Sequence, residues 1–71
     1  MISYRPFWIT LKEKEVSTYA LRENYGVNPN TLTRMKHNQY LSMRTVEDLC
    51  RILDCRVEDI AEYIPDEDKP V

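Results

Sequence analysis

The chain has 71 residues, of which 42% are hydrophobic and 31% charged, and it contains a single glycine, Gly26. This length leaves room for one domain with one modest core, and such a core rarely supplies more than about 3–5 kcal/mol of stability. No apolar run approaches the roughly 20 residues that cross a bilayer, which excludes a membrane-spanning protein. The scarcity of glycine disfavours an all-β fold with many tight turns. The chain does not open with a secretion-signal pattern, so a cytoplasmic location is expected.

The net charge of −2 is unfavourable for binding to nucleic acid, but the charge is unevenly distributed. Residues 1–41 carry six basic and three acidic side chains, a balance of +3, whereas residues 42–71 carry four basic and nine acidic ones, a balance of −5. Because attraction to phosphate depends on the local field, the amino-terminal half can still bind a polyanion. Such binding should be modest in affinity and sensitive to salt.

The amino-terminal third is predicted to contain two helices. In residues 1–5, Ile2 and Tyr4 either dock against the rest of the protein or belong to an amino-terminal arm. A first helix is predicted over residues 6–15, since proline suits a first helical turn. Its buried face is predicted from the apolar spacing: Trp8 and Leu11, with Phe7 or Ile9 beside them. Ser17 is a good N-cap for a second helix that ends at Asn24 or Tyr25.

A turn built on Gly26 separates this second helix from a third. Glycine adopts the left-handed conformation in which helices commonly end. Asn28 can then cap the third helix and Pro29 can occupy its first turn. Leu32 and Met35 form the apolar face of this helix, which is predicted to extend to residue 37.

Two further helices are predicted in the remainder of the chain. Ser42 caps a fourth helix over residues 43–54, with an inward stripe formed by Val46, Leu49, Cys50 and Leu53. A fifth helix is predicted over residues 57–63, with Val57, Ile60 and Ile64 on one side. Pro65 ends it, and residues 65–71 are predicted to be an acidic tail. The predicted fold is therefore all-α, with five helices and a helical core over residues 6–64.

Residues 16–38 carry the pattern with the clearest functional meaning. Two short helices meet at a three-residue turn, and their apolar residues lie where the helices would pack at a steep angle. The second of the pair leaves a row of polar residues facing outward: Asn30, Thr31, Thr33, Arg34 and His37. A DNA major groove accommodates a short polar helix that projects from a small core. We interpret the segment as a helix-turn-helix for binding double-stranded DNA.

The sequence resembles the Cro/repressor-type helix-turn-helix family, also called the XRE family, with a lambda-repressor-like fold. The resemblance covers about residues 6–64 and rests on these positions: Leu21, Gly26, Val27, Asn28, the segment TLTRM at 31–35, the segment from Ser42 to Leu53, and Val57 with Ile60. It implies a transcriptional regulator of repressor type from a bacterium, a phage or a mobile element. Three positions depart from the family pattern: Arg22 replaces a frequent alanine, Pro29 a frequent polar residue, and Asn38 a frequent glycine.

The resemblance and side-chain chemistry together nominate the residues that contact DNA. Base contacts are expected from Asn30, Thr33 and Arg34, because arginine can bond guanine, asparagine adenine, and a threonine methyl thymine. Phosphate contacts are expected from residues at helix starts and around the groove: Ser17, Thr18, Asn28, Thr31, Lys36, Gln39, Tyr40 and Arg44. Two alternatives remain open, namely that the base-contact candidates are solvated surface residues and that Ser17 and Asn28 only cap helices.

Other chemistry finds little support in the sequence. Cys50 and Cys55 are interpreted as small buried hydrophobic residues, since two thiols without a second ligand pair do not form a zinc site. His37 stands alone, no nucleophile is paired with a base, and neither an enzyme nor a cofactor or metal is expected. If the protein forms a homodimer, the expected interface is around Ile60, Tyr63 and Ile64. The rival hypothesis is a protein-interaction or antitoxin-like module that uses the acidic carboxyl-terminal half.

Overall fold

Helices occupy the places that the capping residues predict. The structure, a computed structural model, describes residues 1–65, and this part contains four α-helices: α1 (Arg5–Glu13), α2 (Thr18–Tyr25), α3 (Pro29–Lys36) and α4 (Met43–Leu53). A 3-10 turn spans Val57–Asp59, and two short strands lie near the chain ends, β1 (Ile2–Ser3) and β2 (Glu62–Tyr63). Within these 65 residues none of the helices is both long and apolar enough to span a membrane.

The three predicted N-caps are confirmed by their hydrogen bonds. The side-chain oxygen of Ser17 accepts from the amide of Ala20 at 3.0 Å, and that of Asn28 accepts from Asn30 at 2.8 Å. Ser42 caps α4 in the same way, accepting from the amide of Thr45 at 3.1 Å. Each cap satisfies an amide that the helix leaves unpaired, which typically stabilises a helix by about 1 kcal/mol.

The core joins all four helices to both ends of the described chain. Its buried apolar residues are Tyr4, Phe7, Leu11, Leu21, Leu32, Met35, Val46, Leu49, Leu53 and Ile60. On α1 the predicted face is partly wrong, because Phe7, Thr10 and Leu11 are buried whereas Trp8 is half-buried and Ile9 is exposed. The predicted stripe on α4 is right for Val46, Leu49 and Leu53, but Cys50 is only half-buried.

Residues 1–5 dock against the body, which was one of the two alternatives, and do not project as an arm. Ile2 and Ser3 pair in antiparallel fashion with Tyr63 and Glu62. Tyr4 is almost completely buried; its amide donates to Asn38 Oδ1 at 3.2 Å and its hydroxyl donates to the Gln39 carbonyl at 2.7 Å. Burial is the main cause of the raised pKa of Tyr4.

The predicted fifth helix is wrong. The segment forms only the 3-10 turn and then becomes β2, so the fold is mainly helical with a small sheet. The turn is held by Asp59, whose carboxylate accepts from the amide of Arg56 and whose carbonyl accepts from Thr10 Oγ1 at 2.8 Å. The i, i+3 spacing of Val57 and Ile60 fits a 3-10 turn as well as an α-helix. Except for Pro65, the predicted acidic tail lies outside the described residues.

Candidate nucleic-acid interface

The turn between α2 and α3 depends on the conformation of Gly26. This residue has φ 68° and ψ 25°, in the left-handed region, and its amide donates to the carbonyl of Leu21. The amide of Val27 donates to the same carbonyl at 3.0 Å, which closes the end of α2. The chain then turns within residues 26–28, and Asn28 caps α3. The predicted helix-turn-helix connection is thus present, built by one glycine and one asparagine.

One face of α3 is buried and the opposite face is exposed. Leu32 and Met35 belong to the core, with Met35 fully inaccessible. The three residues predicted to contact bases, Asn30, Thr33 and Arg34, are all exposed. The hydroxyl of Thr33 donates to the carbonyl of Pro29 at 3.2 Å, so its proton is used within the helix. The structure therefore presents these three side chains together on the surface of a helix that is anchored from behind.

A groove between the start of α2 and the exposed side of α3 collects part of the predicted site. It has a volume of about 230 Å³ and is lined by Thr18, Arg22, Pro29, Leu32, Thr33 and Lys36. Thr18 and Lys36 were predicted to contact phosphate and Thr33 to contact a base, so the fold brings both classes together.

Arg22 is a residue of this groove that the sequence-based reasoning missed. It was treated only as a departure from the family pattern, yet its guanidinium lies beside the predicted contacts, 6.0 Å from the ring centre of Tyr19. The available signal was its position four residues after Thr18, which places the two side chains on one face of α2.

Other predicted phosphate contacts lie apart from this groove. Asn28 and Thr31 line a second groove, of about 440 Å³, between the turn and α4. That groove also contains Asp48, whose carboxylate lies 2.6 Å from Arg51 Nη2. Because this groove contains both an acidic and a basic side chain, it should bind phosphate more weakly than a purely basic groove.

The loop after α3 carries two more of the predicted contacts, and α4 carries a third. Gln39 and Arg44 are exposed, and the amide of Gln39 donates to the carbonyl of Arg34 at 2.9 Å. Tyr40 is 76% exposed and lines an apolar groove together with residues of β1, β2 and the start of α4. Ser17, at the start of α2, is exposed as well.

The positive charges at this surface are not neutralised by neighbouring carboxylates. Across residues 1–65 the ion pairs join Arg5 to Glu62, Arg51 to Asp48 and Arg56 to Glu58. None of these pairs involves the cations of α2 and α3, which are Arg22, Arg34 and Lys36. Since an unpaired surface cation can exchange its counterions for a phosphate, the α2–α3 surface is electrostatically suited to a polyanion.

The comparison with known families agrees with this geometry. A profile described as the Cro/C1-type HTH DNA-binding domain matches residues 7–66. The chain belongs to this family. The match extends over most of the sequence and includes α2, the turn and α3 entirely.

Two relatives of the Cro/C1-type chain are informative. This chain is 32% identical over 62 residues to the uncharacterized HTH-type transcriptional regulator YozG of Bacillus subtilis (strain 168). The aligned region covers 84% of this chain and 74% of YozG. The structure of this chain is similar to the crystal structure of the transcriptional regulator VanUg, Form II, with a TM-score of 0.81 and 29% identity. That similarity covers 92% of this chain and 87% of VanUg. The sequence-based prediction of a DNA-binding transcriptional regulator of this family is confirmed.

The predicted dimer interface of this Cro/C1-type domain needs one correction. Ile60 is fully buried in the core, so its side chain is not available to a partner. The packing of the 3-10 turn against α1 and α4 explains this burial. Tyr63 and Ile64, the other two residues of the predicted interface, are exposed.

The two cysteines are close neighbours at the end of α4. The amide of Cys55 donates to the carbonyl of Cys50 at 3.0 Å, both thiols are free, and both are half-buried. Burial raises the pKa of the Cys55 thiol from 9.0 to about 11. Within the described part of the chain, no cluster of three or more His, Cys, Asp or Glu residues has the arrangement of a metal site.

Proposed function

We propose that this Cro/C1-type protein is a repressor-type transcriptional regulator that places α3 in the major groove of double-stranded DNA. The observation that carries the proposal is the exposed polar face of α3, which lies opposite the buried Leu32 and Met35. An eight-residue helix anchored in this way can enter the groove without disturbing the core. A repressor of this kind would act by occupying its operator in the cytoplasm of a bacterial cell.

Base recognition is assigned to three residues of α3. Arg34 can donate two hydrogen bonds to the O6 and N7 atoms of a guanine, and Asn30 can form a pair of bonds with an adenine. Thr33 already donates its hydroxyl proton to Pro29, so a contact between its methyl group and a thymine is the role left to it. Each good contact of these types discriminates against the wrong base by about 1–3 kcal/mol.

Phosphate binding is assigned to the rim around α3. Thr18, Arg22 and Lys36 line one groove and supply a hydroxyl and two unpaired cations, which supports their binding to the same stretch of backbone. The remaining proposed contacts surround this groove: Ser17, Asn28, Thr31, Gln39, Tyr40 and Arg44. The cap bonds of Ser17 and Asn28 do not prevent contact, because the helix start still presents other amides to an anion.

Two copies of the protein would address two half-sites of one operator. A homodimer that binds DNA through both α3 helices requires half-sites about 34–36 Å apart, which is one turn of B-DNA. Such an operator would be palindromic, because its symmetry mirrors that of the protein.

Selection from random DNA duplexes by the purified protein tests the proposal. The expected product is a short enriched motif, and binding to it should weaken steeply as salt rises from about 50 to 200 mM. Failure to enrich any motif, together with negligible binding at low salt, would contradict DNA recognition. That result would instead favour a protein-interaction module, for which the acidic balance of residues 42–71 is the supporting observation.

A further inference from the structure

Two thiols lie side by side at the carboxyl end of α4, and the proposed DNA contacts do not use them. Cys50 belongs to the last turn of the helix, and Cys55 follows the end of the helix by two residues. Both thiols are free and half-buried, and both side chains pack against the edge of the hydrophobic core. A position that needs only a small apolar side chain can hold alanine or valine, so the two sulfur atoms add a chemistry that packing does not use.

The way in which α4 ends brings these two residues together. Asp54 adopts φ 50° and ψ 57°, in the left-handed region, and the amide of Cys55 donates to the carbonyl of Cys50 at 3.0 Å. This bond is that of the Schellman ending, in which the side chains of the two bonded residues commonly come into contact. Because fixed bond lengths join the hydrogen bond to both Cα atoms, these atoms could be about 6.9 Å apart only if all the atoms lay in one line. Most disulfides join Cα atoms that are about 4.4–6.8 Å apart, so the backbone can accept a bridge here.

We propose that Cys50 and Cys55 form a peroxide-reactive dithiol, which a hydroperoxide converts into an intrachain disulfide across the end of α4. The inference goes beyond DNA recognition, because neither cysteine belongs to the groove between α2 and α3 or to the exposed face of α3. In a reducing cytoplasm such a bridge would be transient, as the redox-sensing disulfides of cytosolic proteins are.

The two thiols have different roles in this reaction. Burial is the main cause that raises the pKa of Cys55 to about 11, and the neighbouring Cys50 thiol is the next cause. Because a cysteine attacks as its thiolate, Cys55 is the poorer nucleophile and the first attack on the peroxide falls to Cys50. Cys55 is then the second thiol, placed beside the first, that converts an oxidised cysteine into a disulfide.

The reaction balances with the hydroperoxide as its sole oxidant. The Cys50 thiolate attacks one oxygen of the peroxide, the O–O bond breaks, and the other oxygen takes up the proton that Cys50 lost and leaves as an alcohol, or as water from hydrogen peroxide. The product is a sulfenic acid on Cys50. The sulfur of Cys55 then displaces hydroxide from this sulfenic acid, the S–S bond forms, and the proton held on Cys55 departs with the hydroxide as water. The two thiols are oxidised by two electrons, and the peroxide is reduced by two.

Oxidation of the full chain by hydrogen peroxide, without DNA, tests the proposal. Remaining thiols are blocked with N-ethylmaleimide, and the chain is digested with trypsin, which cleaves after Arg51 between the two cysteines. The expected product migrates at 8.5 kDa in non-reducing electrophoresis, takes up no maleimide, yields two peptides joined by a disulfide, and returns to the dithiol with dithiothreitol. Cys55→Ser should react as fast as the wild type but stop at a sulfenic acid that dimedone traps. Cys50→Ser is the matched control and should react at least tenfold more slowly.

The contribution of the fold is measured on the wild-type chain alone, so it does not depend on whether the serine variants fold. The disulfide is equilibrated with dithiothreitol in buffer and in concentrated urea, and circular dichroism confirms the folded and the unfolded state. Because the end of α4 holds the two thiols together, the equilibrium should favour the disulfide at least tenfold more in the folded chain. Two thiols that both remain open to maleimide after peroxide treatment would overturn the proposal. A disulfide that joins two chains, or an equal equilibrium in both states, would also overturn it.

Discussion

Two substitutions of Asn38 test how the end of α3 is fastened to the amino terminus. Asn38 adopts φ 54°, in the left-handed region, and its side-chain oxygen accepts the amide of Tyr4 at 3.2 Å. A glycine at this position would keep the backbone conformation but lose the hydrogen bond. An alanine would lose the bond and would also be strained, because its Cβ disfavours a left-handed conformation.

General magnitudes for a hydrogen bond and for backbone strain set the expected size of both effects. A neutral hydrogen bond to a partly buried amide contributes about 1 kcal/mol, so Asn38→Gly should reduce the free energy of unfolding by about that amount. The strain of alanine at positive φ adds about 1 kcal/mol, so Asn38→Ala should reduce it by about 2 kcal/mol. Asn38→Asp is the matched control, because it keeps an acceptor oxygen and a residue that tolerates this conformation. Its loss should be smaller than that of Asn38→Gly.

Urea unfolding followed by circular dichroism measures these differences, provided that all variants are compared at one protein concentration. The expected order of stability is wild type, then Asn38→Gly, then Asn38→Ala. A glycine variant that is more stable than the wild type would refute the reasoning. It would show that the bond to Tyr4 contributes less than the relief of a left-handed asparagine.

Three further predictions concern the turn, the cysteine pair and the phosphate contacts. Gly26→Ala should lower the free energy of unfolding by about 1–2 kcal/mol, which is the cost of a Cβ in the left-handed conformation. No steric clash should add to this strain, because a Cβ at this position meets no atom within 4 Å. A much larger loss in urea unfolding would mean that the turn is more crowded. Because burial raises the pKa of Cys55 from 9.0 to about 11, the folded state retains a proton that the unfolded state loses, so stability should fall as pH rises through this range. Cys55→Ala should remove that part of the pH dependence in urea titrations at pH 8 and pH 11, and an unchanged slope would contradict the assignment. Lys36→Ala should weaken binding to all DNA sequences alike and reduce the slope of log affinity against log salt concentration by about 1. Arg56→Ala is the control and should change little, because it removes a cation that is paired with Glu58. A sequence-selective loss in Lys36→Ala would contradict a phosphate role.

Local sequence signals were sufficient to predict the helix-turn-helix. Ser17, Asn28 and Ser42 each mark a helix start through a side-chain bond that spans only two or three residues. Gly26 marks the turn because glycine adopts the left-handed conformation without the strain that a Cβ usually brings. Leu32 and Met35 identify the buried face of α3 by their spacing, and the exposed face follows as its complement.

The parts that the sequence did not predict depend on contacts between distant residues. The β1–β2 pairing joins Ile2 to Tyr63, and no local pattern in a two-residue strand indicates a partner 61 positions away. That pairing, with the bond from Thr10 to Asp59, replaced the predicted fifth helix by a turn and a strand. The groove that contains Arg22 was missed for the same reason, since it forms only when α2 and α3 pack together.

The binding of Arg34→Ala to a DNA duplex selected by the wild-type protein tests the central claim most directly. Arg34 is exposed and forms no ion pair within residues 1–65, so its removal should leave the fold intact. If α3 reads the major groove, the variant should lose about 1–3 kcal/mol, or roughly 5- to 150-fold in affinity, and its preference at one base pair of each half-site should relax. Retention of full affinity and of the wild-type base preference at every position would contradict the account.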